Sequence, residues 1–242
     1  MSLEPRKSKR FRLHSIAVEL FGNGAERLAQ DFDFFTDRPL AEDHEERFSV
    51  TLELLRRAPE PADLPAGEAS RVFPDCVLFK EDPKLIYDYG SAVLRVVREG
   101  NTSFGQLISE DSDLAQEIGY LYLQSEIGRF LDAQGLHRVH ALGLAFPNGK
   151  TALVLLPSGG GKSTLAVEAL QSGKARLLSD DSPLVDRFGN VHPYPLRLAF
   201  KPDARIPEAW KEKALVFPRR RHGEKLLVPT DRKSTRLNSS HT

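Results

Sequence analysis

The residues best suited to chemistry lie in the run Leu156-Pro-Ser-Gly-Gly-Gly-Lys-Ser-Thr164, which stands between an apolar segment and a helical one. Its consecutive glycines allow successive backbone N–H groups to turn toward one centre, and the start of the helix adds unpaired amides. Such a loop is typical of proteins that bind the phosphates of a nucleotide. The predicted phosphate-binding residues are Ser158, Gly159, Gly160, Gly161, Lys162, Ser163 and Thr164.

Within this loop, Lys162 is expected to bridge the β- and γ-phosphates, and the hydroxyl of Ser163 to ligate Mg²⁺. Thr164 is expected to hold the start of the helix. The usual spacing G-x-x-x-x-G-K-[ST] places its first glycine at Leu156, so the loop is wider or set differently. The alternative interpretation is a glycine-rich turn with a chance Lys-Ser pair.

Two carboxylates, Asp180 and Asp181, follow a short β-prone run at residues 176–178. Magnesium at a phosphate site also needs a carboxylate at the end of a neighbouring strand. The distance along the chain from Lys162 suffices for one helix, one turn and one strand. The pair is therefore predicted to belong to the site, and the alternative is that both acids only cap a turn before Pro183.

The elements that must position these residues follow from local patterns. Residues 140–146 and 151–156 predict a hairpin with its turn at 147–149, and residues 163–172 predict a helix that Gly173 ends. Further upstream, residues 48–54 alternate apolar and polar side chains, and three short β-prone runs between residues 76 and 97 predict an antiparallel meander.

A long helix is predicted from Ser112 or Asp113 to Gly135, since Asp113 and Gln116 have capping-box spacing. Its buried face is expected to comprise Leu114, Ile118, Leu121, Gly128 and Leu131.

The amino-acid composition limits the classes of protein to which the chain can belong. The 242 residues are 40% hydrophobic and 28% charged, which suits a globular chain with a core. The single cysteine, Cys76, excludes an intrachain disulfide and predicts a reducing, cytoplasmic location. No apolar run is long enough to span a bilayer, and the balance of 34 basic and 34 acidic residues disfavours nucleic acid as a partner.

The last twelve residues, 231–242, resemble the translation of a sequencing-library adapter. The expectation is that the natural coding sequence is interrupted near Thr230 and that the last part of the protein is missing. The alternative is a polar tail.

Several of these segments together resemble the HPr kinase/phosphorylase family, which shares its nucleotide-binding core with ATP-dependent phosphoenolpyruvate carboxykinases. The resemblance rests on Val139-His140, the apolar hairpin, Ser158–Ser163 and Leu177-Leu-Ser-Asp-Asp181, about a quarter of the chain. It implies an α/β P-loop kinase core of HPr kinase/PEP carboxykinase type over residues 137–230, truncated at its C-terminus. A β-rich α+β domain over residues 1–111, for substrate or regulation, precedes it, and residues 112–136 form a connecting helix.

The resemblance also implies roles for single residues. Ser163 and Asp181 would hold magnesium, Asp180 would act as general base, and His140 would lie beside the acids to orient the base. Alternatively, His140 is a strand-end histidine without a role. The implied activity is ATP- and Mg²⁺-dependent transfer of a phosphoryl group to a hydroxyl of a protein, peptide or small molecule, and the oligomeric state stays open.

Two departures qualify the implied substrate and activity. The family carries a glycine-rich segment after its core, whereas residues 191–197 here have another character, so HPr itself is not the expected substrate. Leu156 in place of glycine favours the alternative of a catalytically weak, nucleotide-binding regulatory module. A catalytic arginine could come from Arg197 or from the basic run Arg219–His222 with Lys225, unless that run is only a solvated loop.

Overall fold

The computed structural model describes residues 8–32, 35, 46–157, 160–194, 196, 198–204, 206–212, 215–219 and 223–228. The chain forms two compact units, one drawn from Met1–Gln30 and Arg38–Phe130 and the other from Asp31–Asp37 and Leu131–Thr242. The fold is mixed α/β, with one large sheet and few helices among the described residues. The adapter-like residues 231–242 lie outside the described residues.

The first unit is built on one mixed sheet, in the order β1-β2-β3-β8-β7-β6-β5-β4. Strands β2, β3 and β8 run parallel to one another, and the other described neighbours are antiparallel. The strands are β1 Ser8–Leu13, β2 Ile16–Gly22, β3 Phe48–Leu55, β4 Arg71–Val72, β5 Val77–Glu81, β6 Lys84–Asp88, β7 Ala92–Glu99 and β8 Thr102–Ser109. The helices are α1 Ala25–Gln30 and α2 Ser112–Ala133.

Strand β3 shows the alternation of buried and half-buried side chains that one covered face requires. In β3, Val50, Leu52 and Leu54 are buried while the residues between them are half-buried, as period-2 geometry requires. The predicted strand over residues 48–54 is therefore confirmed. The predicted meander is also confirmed, because β5, β6 and β7 pair antiparallel in sequence order.

Helix α2 confirms the long helix and corrects its details. The capping residue is Asp111, whose Oδ1 accepts the backbone N–H groups of Asp113 at 2.9 Å and Leu114 at 3.0 Å. The prediction of a cap at Asp113 was wrong because a carboxylate one residue before the first turn satisfies those amides better. Leu121 is 51% exposed, and Tyr122 lies on the buried face instead.

The described residues of the second unit form three small sheets, in the orders β11-β10-β12, β14-β13-β9 and β15-β17-β16. The strands are β9 Leu136–Arg138, β10 Leu142–Ala145, β11 Thr151–Val154, β12 Arg176–Ser179, β13 Leu184–Asp186, β14 Val191–His192, β15 Leu198–Phe200, β16 Leu215–Arg219 and β17 Gly223–Val228. The helices are α3 Lys162–Gln171 and α4 Glu208–Lys211.

One face of α3 closes the core of this unit. Ala166, Val167 and Leu170 are buried against Leu144 and Leu177 in one hydrophobic cluster. The spacing of the three helical residues places them on one side of α3, which fixes the helix over the sheet.

Candidate functional site

Strand order brings three separated segments to one edge of the sheet β11-β10-β12. The central strand β10 is antiparallel to both neighbours, with Leu142 opposite Val154 and Gly143 opposite Ser179. The carboxyl ends of β11 and β12 therefore meet the amino end of β10 at the same edge. The glycine-rich loop follows β11, the aspartate pair follows β12, and His140 precedes β10.

Gly143 allows the segment after the aspartates to pack closely on β10. A Cβ at this position would lie 2.8 Å from Cβ of Pro183, a separation that real side chains do not show. The absence of a side chain at Gly143 therefore lets the turn carrying Asp180 and Asp181 lie against the strand that His140 precedes.

The glycine-rich loop ends in a left-handed residue at the start of α3. Gly161 has φ +89° and ψ 14°, a conformation that glycine adopts without a Cβ clash, and its carbonyl accepts the N–H of Leu165 at 2.9 Å. The predicted helix over residues 163–172 is confirmed, beginning one residue earlier at Lys162. Ser158 and Gly159 lie outside the described residues.

One predicted amide points elsewhere. The N–H of Gly160 donates to the carbonyl of Pro157 at 2.9 Å. The expectation that this amide turns toward a shared anion centre is thus not met in this conformation. The unpaired amides of the first turn of α3 are the backbone donors that remain for an anion.

Lys162 contacts a histidine and a carbonyl. Its Nζ lies 2.7 Å from Nε2 of His140 and donates to the carbonyl of Leu156 at 3.0 Å. The carbonyl of Leu156 is a partner that sequence reasoning missed, since a backbone oxygen leaves no signal in the identity of its residue.

The same histidine reaches a carboxylate through its other ring nitrogen. Nδ1 of His140 lies 3.0 Å from Oδ1 of Asp181, with side chains 64% and 58% exposed. Nε2 of His140 is placed to accept a hydrogen bond from the ammonium of Lys162, and its Nδ1 lies at ion-pair distance from Asp181. Lys162, His140 and Asp181 therefore form one row of contacts that is open to solvent.

The two neighbouring aspartates have different surroundings. Asp181 is exposed, whereas Asp180 is half-buried directly after the buried Ser179. The hydroxyl of Ser179 accepts the N–H of Ser182 at 3.0 Å, which closes the turn that carries both acids. The turn thus fixes the backbone of the pair while leaving one carboxylate open to solvent.

Ser163 and Thr164 lie in the first turn of α3, half-buried and exposed respectively. The hydroxyl of Ser163 and the carboxylate of Asp181 are hard oxygen donors of the kind that Mg²⁺ prefers. Within the described ranges, no three His, Cys, Asp or Glu side chains gather as a metal site. A magnesium ion would therefore take its other ligands from phosphates and water, as this ion commonly does.

The candidate catalytic arginines are not brought to this edge by any described contact. Arg197 and residues 220–222 lie outside the described residues. Arg219 ends β16 opposite Gly223, and Lys225 pairs with Phe217 in the same hairpin. The role of the basic run stays a prediction.

A second carboxylate–histidine pair lies on the strand after the aspartates. Asp186 Oδ2 lies 2.9 Å from Nε2 of His192 and also accepts from the side chain of Asn190 at 2.9 Å. The hydrogen bond to His192, and then that to Asn190, lowers the pKa of Asp186 below its usual range. This contact connects the side chains of β13 and β14, and we interpret the pair as structural.

Compared with known proteins, the chain matches no family model and no curated protein. In the part of the chain that the structure describes, there is also no helix with the length and apolar character that a membrane crossing needs.

Proposed function

We propose that the chain is an HPr kinase-like phosphotransferase that moves the γ-phosphoryl group of ATP to a hydroxyl of a protein, peptide or small molecule in the cytoplasm. The observation that carries this proposal is the chain of contacts from Lys162 through His140 to Asp181. It joins a glycine-rich loop, a helix start and an aspartate pair at one edge of the sheet.

Binding of ATP is the first task of the site. The amides at the start of α3 and the ammonium of Lys162 supply positive charge to the phosphates. Ser163 and Asp181 would hold Mg²⁺, which neutralises phosphate charge when bound. When ATP binds, Lys162 gives up its hydrogen bonds to His140 and to the carbonyl of Leu156 and contacts the phosphates instead.

Within this proposal, His140 has the task of positioning Asp181. Its imidazole lies at ion-pair distance from that carboxylate, and outer partners of this kind tune the groups that hold a metal. His140 therefore acts as a positioning residue for Asp181. The contact of His140 is with Asp181, the predicted metal ligand. Asp180 keeps the predicted role of general base.

Proton transfer falls to Asp180. The acceptor hydroxyl forms a new bond to the γ-phosphorus, the bond from that phosphorus to the β,γ-bridging oxygen breaks, and ADP leaves. The hydroxyl proton passes to the carboxylate of Asp180. A half-buried carboxylate beside an exposed one is suited to this division of roles.

The deciding experiment compares Asp180→Asn with Asp203→Asn, an exposed aspartate of the same unit outside the site. ATP binding is measured by calorimetry with Mg²⁺, and turnover by release of labelled phosphate to water. Asp180→Asn is expected to keep ATP affinity and lose turnover, while Asp203→Asn keeps both. Absence of ATP binding in the unchanged protein would overturn the proposal.

The nucleotide-binding regulatory module remains the second candidate. It is favoured by the hydrogen bond from Gly160 to the carbonyl of Pro157 and by the Lys162–Leu156 contact, since both occupy groups that a phosphate would use. ATP binding without turnover in the unchanged protein would favour this candidate over the kinase.

A further inference from the structure

A cleft opens in the first unit where three parallel strands end. β2, β3 and β8 finish at Gly22, Leu55 and Ser109, and their parallel pairing brings these ends to one edge. In α/β sheets, ligands commonly bind in the crevice outside the carboxyl ends of parallel strands. The cleft involves no residue of the candidate phosphate site.

One glycine brings the turn after β2 close to the end of β3 beside this cleft. Gly22 has φ +88°, and a Cβ there would lie 2.1 Å from the carbonyl oxygen of Leu54. Gly24 has φ +102° in the same turn. The turn between β2 and α1 can therefore pack against the end of β3 only with glycine at Gly22.

The interior of the cleft is mainly apolar and small. Its volume is about 50 Å³, which is room for about four water molecules. Leu28, Leu54, Leu107 and Ala115 contribute apolar surface to its lining. An occupant therefore has few non-hydrogen atoms and gains from burying a short hydrocarbon segment.

The polar side chains of the lining comprise two arginines, two amides and a hydroxyl, and no acid. Arg27 and Arg56 are both present, with no aspartate or glutamate among the lining residues. Arg27 is already paired, because its Nη2 lies 2.7 Å from Oδ1 of Asp113. Arg56 is exposed and its side chain forms no hydrogen bond or ion pair with another described residue, so its positive charge is available to a ligand.

Two further side chains supply donors at the same cleft. Asn23 and Ser112 line it, and neither side chain has a hydrogen-bond partner among the residues that the structure describes. A guanidinium group binds a carboxylate through parallel N–H donors, and amide and hydroxyl groups add to such binding. Donors around an apolar interior fit an anion with a short hydrocarbon chain.

We propose that this cleft binds a short aliphatic carboxylate, with the carboxylate group on Arg56, Asn23 and Ser112 and the alkyl chain against the leucines. Size excludes a nucleotide, and the apolar lining favours a carboxylate over inorganic phosphate. The site is separate from the proposed kinase chemistry.

Sodium butyrate is the probe, titrated into the full chain by calorimetry and by saturation-transfer NMR. The unchanged protein is expected to bind butyrate saturably, and Arg56→Gln to weaken binding at least about tenfold. Ala115→Leu, which fills the cleft from a helical position, is expected to abolish binding. Arg176→Gln, an exposed arginine of β12, and Lys162→Ala are expected to leave it unchanged.

Circular dichroism checks that each variant is folded. If Ala115→Leu does not fold, butyrate binding by Arg56→Gln alone tests the proposal. The proposal is overturned by absence of saturable butyrate binding or by equal binding to Arg56→Gln. It is also overturned if inorganic phosphate displaces butyrate with equal affinity, because the occupant would then be an inorganic anion.

Discussion

Nζ of Lys162 lies 2.7 Å from Nε2 of His140, so the lysine of the glycine-rich loop is hydrogen-bonded to the residue that also contacts Asp181. The same ammonium also donates to the carbonyl of Leu156. The contact links the loop after β11 to the segment before β10. Any anion that binds the loop competes with His140 for Lys162.

Removal of the ammonium tests whether this loop binds ATP. Lys162→Ala is expected to weaken ATP binding by about 10- to 100-fold, because one charge-assisted contact to phosphate is lost. Lys174→Ala, an exposed lysine just after α3, serves as the matched control and should keep the affinity. Calorimetry with Mg²⁺ measures both variants, and equal affinities would contradict the assignment of Lys162.

Removal of the imidazole separates positioning from binding. His140→Ala is expected to lower ATP turnover by about 10- to 100-fold, because Asp181 loses the imidazole contact that orients it. ATP affinity should stay equal or increase, because Lys162 no longer has to break a hydrogen bond to His140 before it contacts a phosphate.

The matched control for this variant is His137→Ala, since His137 forms a similar exposed pair with Asp132 at 3.0 Å. It should change neither ATP turnover nor ATP affinity. A fall in ATP affinity with unchanged turnover in His140→Ala would count against the positioning role.

Backbone conformation at the loop gives a third prediction. Gly161→Ala should destabilise the protein by about 1–2 kcal/mol, because an L side chain at φ +89° is strained although no neighbour lies within contact of its Cβ. Gly173→Ala, at φ +64° with equally open space, should show a similar loss of stability. Urea denaturation measures both losses.

Only Gly161→Ala is expected to weaken ATP binding as well, because it alone alters the turn that leads into α3. A similar weakening in both variants would mean that stability, and not loop geometry, controls binding.

A buried carboxylate in the first unit predicts a pH dependence of stability. Asp63 is 5% exposed and lies between Arg57 and Arg95, with Arg57 Nη2 at 3.0 Å and Arg95 Nη2 at 3.2 Å. The hydrogen bond from Arg57 lowers the pKa of Asp63 from 3.8 to about 2. Its stabilisation is therefore complete above about pH 4 and is lost as pH falls toward about 2.

Asp63→Asn should accordingly destabilise the protein by about 1–2 kcal/mol at pH 7, and the difference from the unchanged protein should shrink between pH 4 and pH 2. Glu68→Gln, at an exposed position of the same loop, should show little change at either pH. Denaturant unfolding at several pH values gives the result, and a difference that does not depend on pH would contradict it.

Local patterns predicted many elements because their causes are local. The alternation in β3, the strand runs of the meander and the glycine before α3 depend on neighbours a few residues away. The cap of α2 was misplaced by the same reasoning, because Asp111, Ser112 and Asp113 all satisfy the cap pattern and only hydrogen-bond geometry separates them.

The parallel pairing of β3 with β2 and β8 had no counterpart in the sequence predictions. Pairing partners are chosen by burial of whole faces, and one strand's alternation fits many partners equally well. The cleft with Arg56 was missed for the same reason, since its walls come from two helices, from strands β3 and β8 and from the turn after β2.

The amino-acid order by itself determined which groups are present at the candidate site: glycines that permit a tight turn, a lysine and a serine at a helix start, and two acids after a strand. It did not determine that His140 joins Lys162 to Asp181. That contact depends on β10 lying between β11 and β12, an order set by packing of the unit as a whole. The sequence specifies which side chain stands at each position. The distances between residues far apart in the sequence are fixed only when the strands pair into a sheet.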